Sequence, residues 1–334
     1  MILNNKKERD TSIDILRCFA IIGIIIAHIE PSRLWVQLRG FDVVLMVFLS
    51  AVCAKGFERE NFSYSKFFVK RCIRLVCPVW IFFVGYYIGI YLFYYLPPLN
   101  EVIASFTLTS DRYVWIIRIL VVLALIAPMI FKATQKMTSK GIVLVLLIGF
   151  MTCEQLFNIH SGKIYDMFFM IIPYALVYVL GMNIHKFTKR QHLILTGFCF
   201  ITVVTFLLYY KADSGIVRLT SEVKYPPHFY YMSYGLAVTL LMWTYKDRIY
   251  RFLYKMRLSR FSAFVGSHTY WLYLWHIPIV DIVQGHFNPF FRFVFVFCTS
   301  LFVVMIQDAL VKRYVKNRTL ISIFNNSSLK ISPS

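Results

Sequence analysis

The sequence predicts an all-α integral membrane protein of about ten transmembrane helices, with both termini in the cytoplasm. Three observations predict it. The 334 residues are 59% hydrophobic and only 16% charged, against about 45–50% apolar and about 25% charged in soluble domains. Ten apolar runs approach the roughly 20 residues that a bilayer span requires. The basic residues also alternate in position: when the N-terminus and every second loop are assigned to one face, 26 of the 36 Lys and Arg lie there and 6 on the other face. That is the positive-inside signature, and a missed or extra helix would scramble it. The net charge of +20 therefore records topology rather than a nucleic-acid groove.

In chain order the runs are 13–29, 36–54, 76–96, 113–131, 141–157, 164–184, 192–210, 229–245, 261–283 and 287–311. The first follows Lys6, Lys7 and Arg9, as a signal peptide would, but it leads through His28 into Glu30-Pro31. That is not a small-residue cleavage site, so the run reads as an uncleaved helix. No loop is large enough for a soluble domain, the longest outer one being about 211–228. Residues 1–311 form one polytopic membrane domain and 312–334 a basic cytoplasmic tail. The seven cysteines lie mostly in apolar runs without a C-x-x-C pair, so neither a disulfide framework nor a metal site is indicated.

Ionisable residues inside a span are costly and mark function by default. The first helix reads T-S-I-D-I-L-R-C-F-A-I-I-G-I-I-I-A-H. Arg17 and His28 are eleven residues apart, close to three turns, so they share a face about 16 Å apart. Asp14 lies one turn below Arg17, roughly 21 Å from His28, and pairs with Arg17 or with basic residues of the first inner loop. His28 has two readings: a polar residue bridging helices, or a general base whose ordinary pKa suits neutral pH. In the inner loop S-K-F-F-V-K-R-C-I-R-L-V-C-P, Arg71 and Arg74 share a helix face at i, i+3 with Lys70 alongside. That arrangement is either positive-inside charge or a phosphate site. Asp42 opens the apolar run R-G-F-D-V-V-L-M-V-F-L-S-A, with Ser50 eight residues on and about 80° round the helix.

Taken together, I-D-I-L-R-x10-H, F-D-V-V-L-M-V-F-L-S and K-R-C-I-R-L-V-C-P resemble the membrane acyltransferase-3 family, bacterial proteins that transfer acyl groups, commonly acetyl, to surface-polysaccharide sugars. Y-V-W-I-I-R (113–118), K-Y-P-P-H-F-Y-Y (224–231) and H-T-Y-W-L-Y-L-W-H-I-P (268–278) fit the same pattern. The resemblance covers nearly the whole chain. It implies that His28 is the essential first-helix histidine with Arg17 as its partner, and that Arg71 and Arg74 meet the acyl-CoA donor. One departure is Ala51 after Ser50, where the family usually has glycine.

The expected reaction is therefore O-acyl transfer, with acetyl the first candidate, from cytoplasmic acetyl-CoA or another acyl-CoA to a sugar hydroxyl, in the bacterial plasma membrane. No metal is called for. The acceptor is a surface polysaccharide or its lipid-linked precursor. His28, Arg17 and Asp14 are the candidate catalytic residues, and Arg71, Arg74 and Lys70 the donor-binding ones. Candidates for the acceptor are Asp42, Ser50, Trp115, Arg118, Lys224, Tyr230, Tyr231 and His276. The aromatic outer segment also has a plainer reading as an interfacial belt. Lys224 could meet an anionic sugar or a lipid phosphate, and Asp166 could line the same cavity. The alternative classes are a glycolipid transporter or flippase, and a non-catalytic membrane partner of a polysaccharide assembly complex.

Overall fold

The computed structural model describes residues 10–54, 57, 62–93, 97–110, 114–159 and 169–314. Among these, all regular structure is helical. The helices are α1 (Thr11–Ala27), α2 (Arg33–Leu38), α3 (Asp42–Val52), α4 (Tyr64–Leu75), α5 (Cys77–Phe93), α6 (Leu99–Phe106), α7 (Trp115–Thr134) and α8 (Ser139–Ile159). They continue as α9 (Ile171–Asn183), α10 (Lys189–Ser214), α11 (Phe229–Thr244), α12 (Lys246–Lys255), α13 (Ser259–Ser267), α14 (Thr269–Val283) and α15 (Pro289–Tyr314). Tyr113, Asp166 and 315–334 of the expected tail lie outside the described residues.

Six stretches are long and apolar enough to cross a membrane: Arg33–Val52, Tyr64–Leu92, Trp115–Thr134, Ser139–Phe157, Lys189–Ser214 and Pro289–Tyr314. The other four expected runs contain shorter helices: α1 with 17 residues, α9 with 13, α11 with 16 and α14 with 15. These short helices form the interior of the bundle. Ile21 and Ile25 of α1, Tyr174 and Tyr178 of α9, Tyr231 of α11 and Leu272 of α14 are almost wholly enclosed. The long helices instead expose apolar side chains, among them Ile194, Phe200 and Leu208 on α10 and Phe302 and Met305 on α15. A continuous greasy exterior of this kind suits lipid rather than water.

Two expected spans are not single helices. The run 36–54 is broken at Arg39–Phe41 between α2 and α3, and the run 261–283 is broken at His268 between α13 and α14. Hydropathy responds to apolar content and is blind to these one-turn interruptions. The first break has a consequence for charge placement: Asp42 becomes the first residue of α3, where unpaired N–H groups and the helix dipole favour a carboxylate. Its Oδ1 accepts the Val43 N–H at 2.7 Å and its Oδ2 accepts from Arg39 at 3.2 Å. The inner loop before the third run is also ordered locally, as the amphipathic helix α4, capped by the Ser63 hydroxyl accepting from the Lys66 N–H.

α3 lies between α9 and α11, and glycines bring the three helices close. A Cβ on Gly181 would stand 2.6 Å from the Phe48 carbonyl oxygen and 2.8 Å from Cβ of Ala51; one on Gly235 would stand 2.5 Å from Val44. The methyl of Ala51 is thus accommodated because the facing residue on α9 is glycine. Gly181→Ala is expected to destabilise the protein by about 1–3 kcal/mol through overpacking, measured as a lower melting temperature in detergent. Adding Ala51→Gly should restore only part of the loss, because the Phe48 carbonyl remains in the way. An unchanged melting temperature in Gly181→Ala would contradict this packing.

Candidate active site

Two polar clusters are built on α1, one near each end. At the N-terminal end, Asp10 caps the helix by accepting the Ser12 N–H at 3.1 Å, and Lys246 reaches Asp10 at 2.8 Å. One turn on, Arg17 pairs with Asp14 at 3.3 Å and donates to the Cys53 sulfur at 3.3 Å. Across from them the Tyr178 hydroxyl lies beside Ser50, within electrostatic reach of Cys53 and Arg71. Arg71 and Arg74 sit half-buried on α4, with the Arg71 guanidinium 5.1 Å from the Phe67 ring centre, while Lys70 is exposed. Arg17, Arg71 and Ser50 are therefore brought towards one region, and Ser50 belongs there rather than with Asp42.

The other end of α1 stops at His28, which supplies the C-cap and follows Ala27 into a cavity of about 200 Å³. The cavity is lined by His28, Arg39, Asp42, Trp115, Ser221, Lys224, Tyr225 and Tyr273, with Ile24, Ala27, Val43 and Ile116 as its apolar wall. Among the described residues no group hydrogen-bonds the His28 ring, whose nearest aromatic neighbour is His276 at 5.2 Å between ring centres. His276 is fully buried, and its Nδ1 lies 2.5 Å from the Tyr273 carbonyl. A carbonyl only accepts, so Nδ1 carries the proton and Nε2 holds a lone pair. That Nε2 has no hydrogen-bond partner among the described residues.

The outer wall of the cavity comes from the long outer loop, pinned by α2. Thr220 donates its N–H and its hydroxyl to Gln37 Oε1 at 3.0 and 3.2 Å, and Arg33 stands 3.7 Å from Glu222. Gly40 permits this docking, since a Cβ there would lie 2.9 Å from the Thr220 hydroxyl. The loop thereby carries Lys224 inward until its ammonium lies 5.2 Å from the Trp115 ring centre, 5.4 Å from that of Tyr225 and 5.9 Å from that of Tyr231. Burial pushes the Lys224 ammonium down to about 8, with Asp42 favouring the charged form and Arg39 opposing it. It therefore remains mostly protonated at neutral pH.

Not every expected acceptor residue reaches this cavity. Tyr230 turns the other way: its hydroxyl donates to the Arg218 carbonyl at 3.1 Å and its ring packs on Phe206 and Tyr210. Arg118 holds the turn after α6 by donating to the carbonyls of Leu108 and Thr109 at 3.4 and 3.2 Å. Arg17 is about three turns of α1 from His28 and Asp14 about four, so both belong to the cluster at the N-terminal end and stand away from the imidazole. Conversely, Arg39 and Tyr273 line the cavity although their sequence contexts did not single them out. The one available signal for Arg39 was its i, i+3 spacing to Asp42 across Gly40.

A family model described as an acyltransferase domain, Acyl_transf_3, matches residues 10–307, from the cap of α1 to within α15. No curated protein and no solved structure matches the chain.

Proposed function

The chain belongs to the acyltransferase-3 family and is a membrane acyltransferase; we propose that it moves an acyl group, acetyl in the first instance, from cytoplasmic acyl-CoA to a sugar hydroxyl of a surface polysaccharide or its lipid-linked precursor. The observation that carries this reading is the placement of polar residues on α1. One end of that helix holds Arg17 near the Arg71 cluster, and the other presents an unengaged imidazole to a cavity. In this reading all ten expected runs cross the bilayer, the short helices α1, α9, α11 and α14 inside a ring of longer ones. In the same reading the α4 side and both termini face the cytoplasm, which the 26-to-6 charge asymmetry supports, and the membrane is a bacterial plasma membrane.

The chemistry follows from that orientation. Arg71 and Arg74 project from a helix on the donor's side, where guanidinium groups match phosphate oxygens. The pantetheine arm then runs along α1 and brings the thioester towards His28. There the imidazole takes the proton of an acceptor hydroxyl as it attacks the thioester carbonyl, expelling the CoA thiolate. A second route forms acyl-His28 first, and the hydroxyl then displaces it.

The test is turnover of labelled acetyl-CoA by the reconstituted protein, with analysis of surface glycans from cells that have or lack it. Arg71→Ala and Arg74→Ala are each expected to raise the KM for acetyl-CoA about 10–100-fold, the worth of a charge-assisted hydrogen bond, with a smaller change in kcat. Glycans that keep every acyl substituent when the protein is removed would contradict acyl transfer, and would leave a flippase as the better reading.

A further inference from the structure

Among the described residues, the cavity beside His28 contains a cation, Lys224, that is held in no ion pair, the neighbouring Asp42 being paired with Arg39. Lys224 is only 7% exposed, and among the described residues its ammonium makes no hydrogen bond and no ion pair; its neighbours are the three aromatic rings. Ring faces offset only part of the cost of taking an ammonium out of water. Arg39 adds a second unmet demand. One of its terminal nitrogens bonds Asp42, but its Nε is buried with no acceptor among the described residues.

Among the described residues, the carboxylates around the cavity have other partners or stand outside its lining. Both oxygens of Asp42 are engaged, one with Arg39 and one with the Val43 N–H. Glu222 faces Arg33, Glu30 is bound by Arg292 and Gln284, and Glu154 is bound to His228 and to the Phe229 N–H. Asp281 is exposed on α14 and is not among the residues that line the cavity. Among the described residues, the lining charges Arg39, Asp42 and Lys224 therefore leave one positive charge unbalanced, and the partial burial of the cavity strengthens its pull on an anion.

We infer that Lys224 and Arg39 form an anion site, and that the acceptor carries a carboxylate or phosphate on the same sugar unit as the reacting hydroxyl. The inference rests on the reading that this cavity receives the acceptor. Its size sets the second half: about 200 Å³ is below the ~300–1,000 Å³ of pockets for drug-sized ligands, so the anion and the hydroxyl facing His28 belong to one ring. Trp115 and Tyr225, edge to face with ring centres 5.3 Å apart, supply an apolar surface for that ring.

The experiment compares glucose, glucuronate and glucose 1-phosphate as ligands of the full-length protein in nanodiscs, without acyl-CoA, by calorimetry and thermal shift. At least one of the two anionic sugars is expected to bind at least about tenfold more tightly than glucose; whichever it is identifies carboxylate or phosphate. Lys224→Met should remove the preference and Lys224→Arg should keep it. Equal response to all three ligands, or a preference that survives Lys224→Met, overturns the anion site. If Lys224→Met does not fold, the three-ligand series on the unaltered protein still decides. The two readings fail separately: acetyl-CoA turnover without a charge preference strikes this inference alone, whereas a charge preference without turnover strikes acyl transfer.

Discussion

Replacing His28 with alanine is expected to lower acyl transfer by about 10²–10⁴-fold, the range that a positioned general base contributes, while leaving acyl-CoA affinity within about twofold. The reason is geometric. His28 ends α1, so its side chain is carried beyond the last helical turn and into the cavity. Its ring is committed to no hydrogen bond within the described protein, which leaves a nitrogen available for a substrate proton. Arg71 and Arg74 lie on a different helix, on the far side of α1 from His28, so donor binding survives the substitution.

His28→Gln, which keeps a polar group of similar reach but cannot take up the proton, should be as inactive as His28→Ala. His276→Phe should cost less, because that ring contacts His28 and lies outside the cavity lining. The measurement is kcat for labelled acetyl transfer, paired with a direct binding constant for acetyl-CoA. Retention of more than a tenth of the activity in His28→Ala would remove the imidazole from the mechanism. Single-turnover labelling without acceptor separates the two chemical routes: label retained on the unaltered protein and absent from His28→Gln indicates acyl-His28.

How much of this site the sequence shows depends on the range of the interactions involved. The Asp14–Arg17 pair and the face shared by Arg17 and His28 are properties of one helix, and helical spacing alone predicts them. The phosphate-facing pair on α4 is legible for the same reason. The cavity itself is not, because it is closed by residues far apart in the chain: Trp115 on α7, Lys224 in the loop before α11 and Tyr273 on α14 meet His28 only after the helices pack. Tyr230 and Tyr231 are equally aromatic neighbours, yet successive helical positions point about 100° apart. One faces α10 and the other lies beneath Lys224. Arg39 falls inside the apolar run 36–54 and goes unnoticed, because an apolar-run search cannot register the break that turns it towards the cavity. Span length has the same limit: α9 and α14 are buried by other helices, so their sequences need not match the bilayer thickness as α10 and α15 do.

Gly266→Ala is expected to abolish folding, or to leave a protein whose melting temperature falls by more than about 10 °C. A Cβ on Gly266 would stand 1.6 Å from the Asp14 carbonyl oxygen and 2.4 Å from its carbonyl carbon. Both are backbone atoms in the first turn of α1, so no rotamer change can relieve the clash, and α1 and α13 would have to separate. That separation would uncover core packing around Ile15 and Val265, both wholly buried, and displace the turn that holds Asp14 against Arg17. A cost above about 4 kcal/mol belongs to this kind of forced repacking.

The matching control is Gly197→Ala on α10, where an added Cβ meets nothing within 4 Å. There alanine should be neutral or stabilise by up to about 1 kcal/mol, because glycine loses more conformational freedom than alanine when a helix forms. Fluorescence-detected size exclusion and thermal scans of both variants in one detergent decide the matter. The same chemical change should have opposite signs at the two positions. Equal melting temperatures would mean that α13 does not rest on the backbone of α1, and the inner cluster at Asp14 and Arg17 would then need a different support.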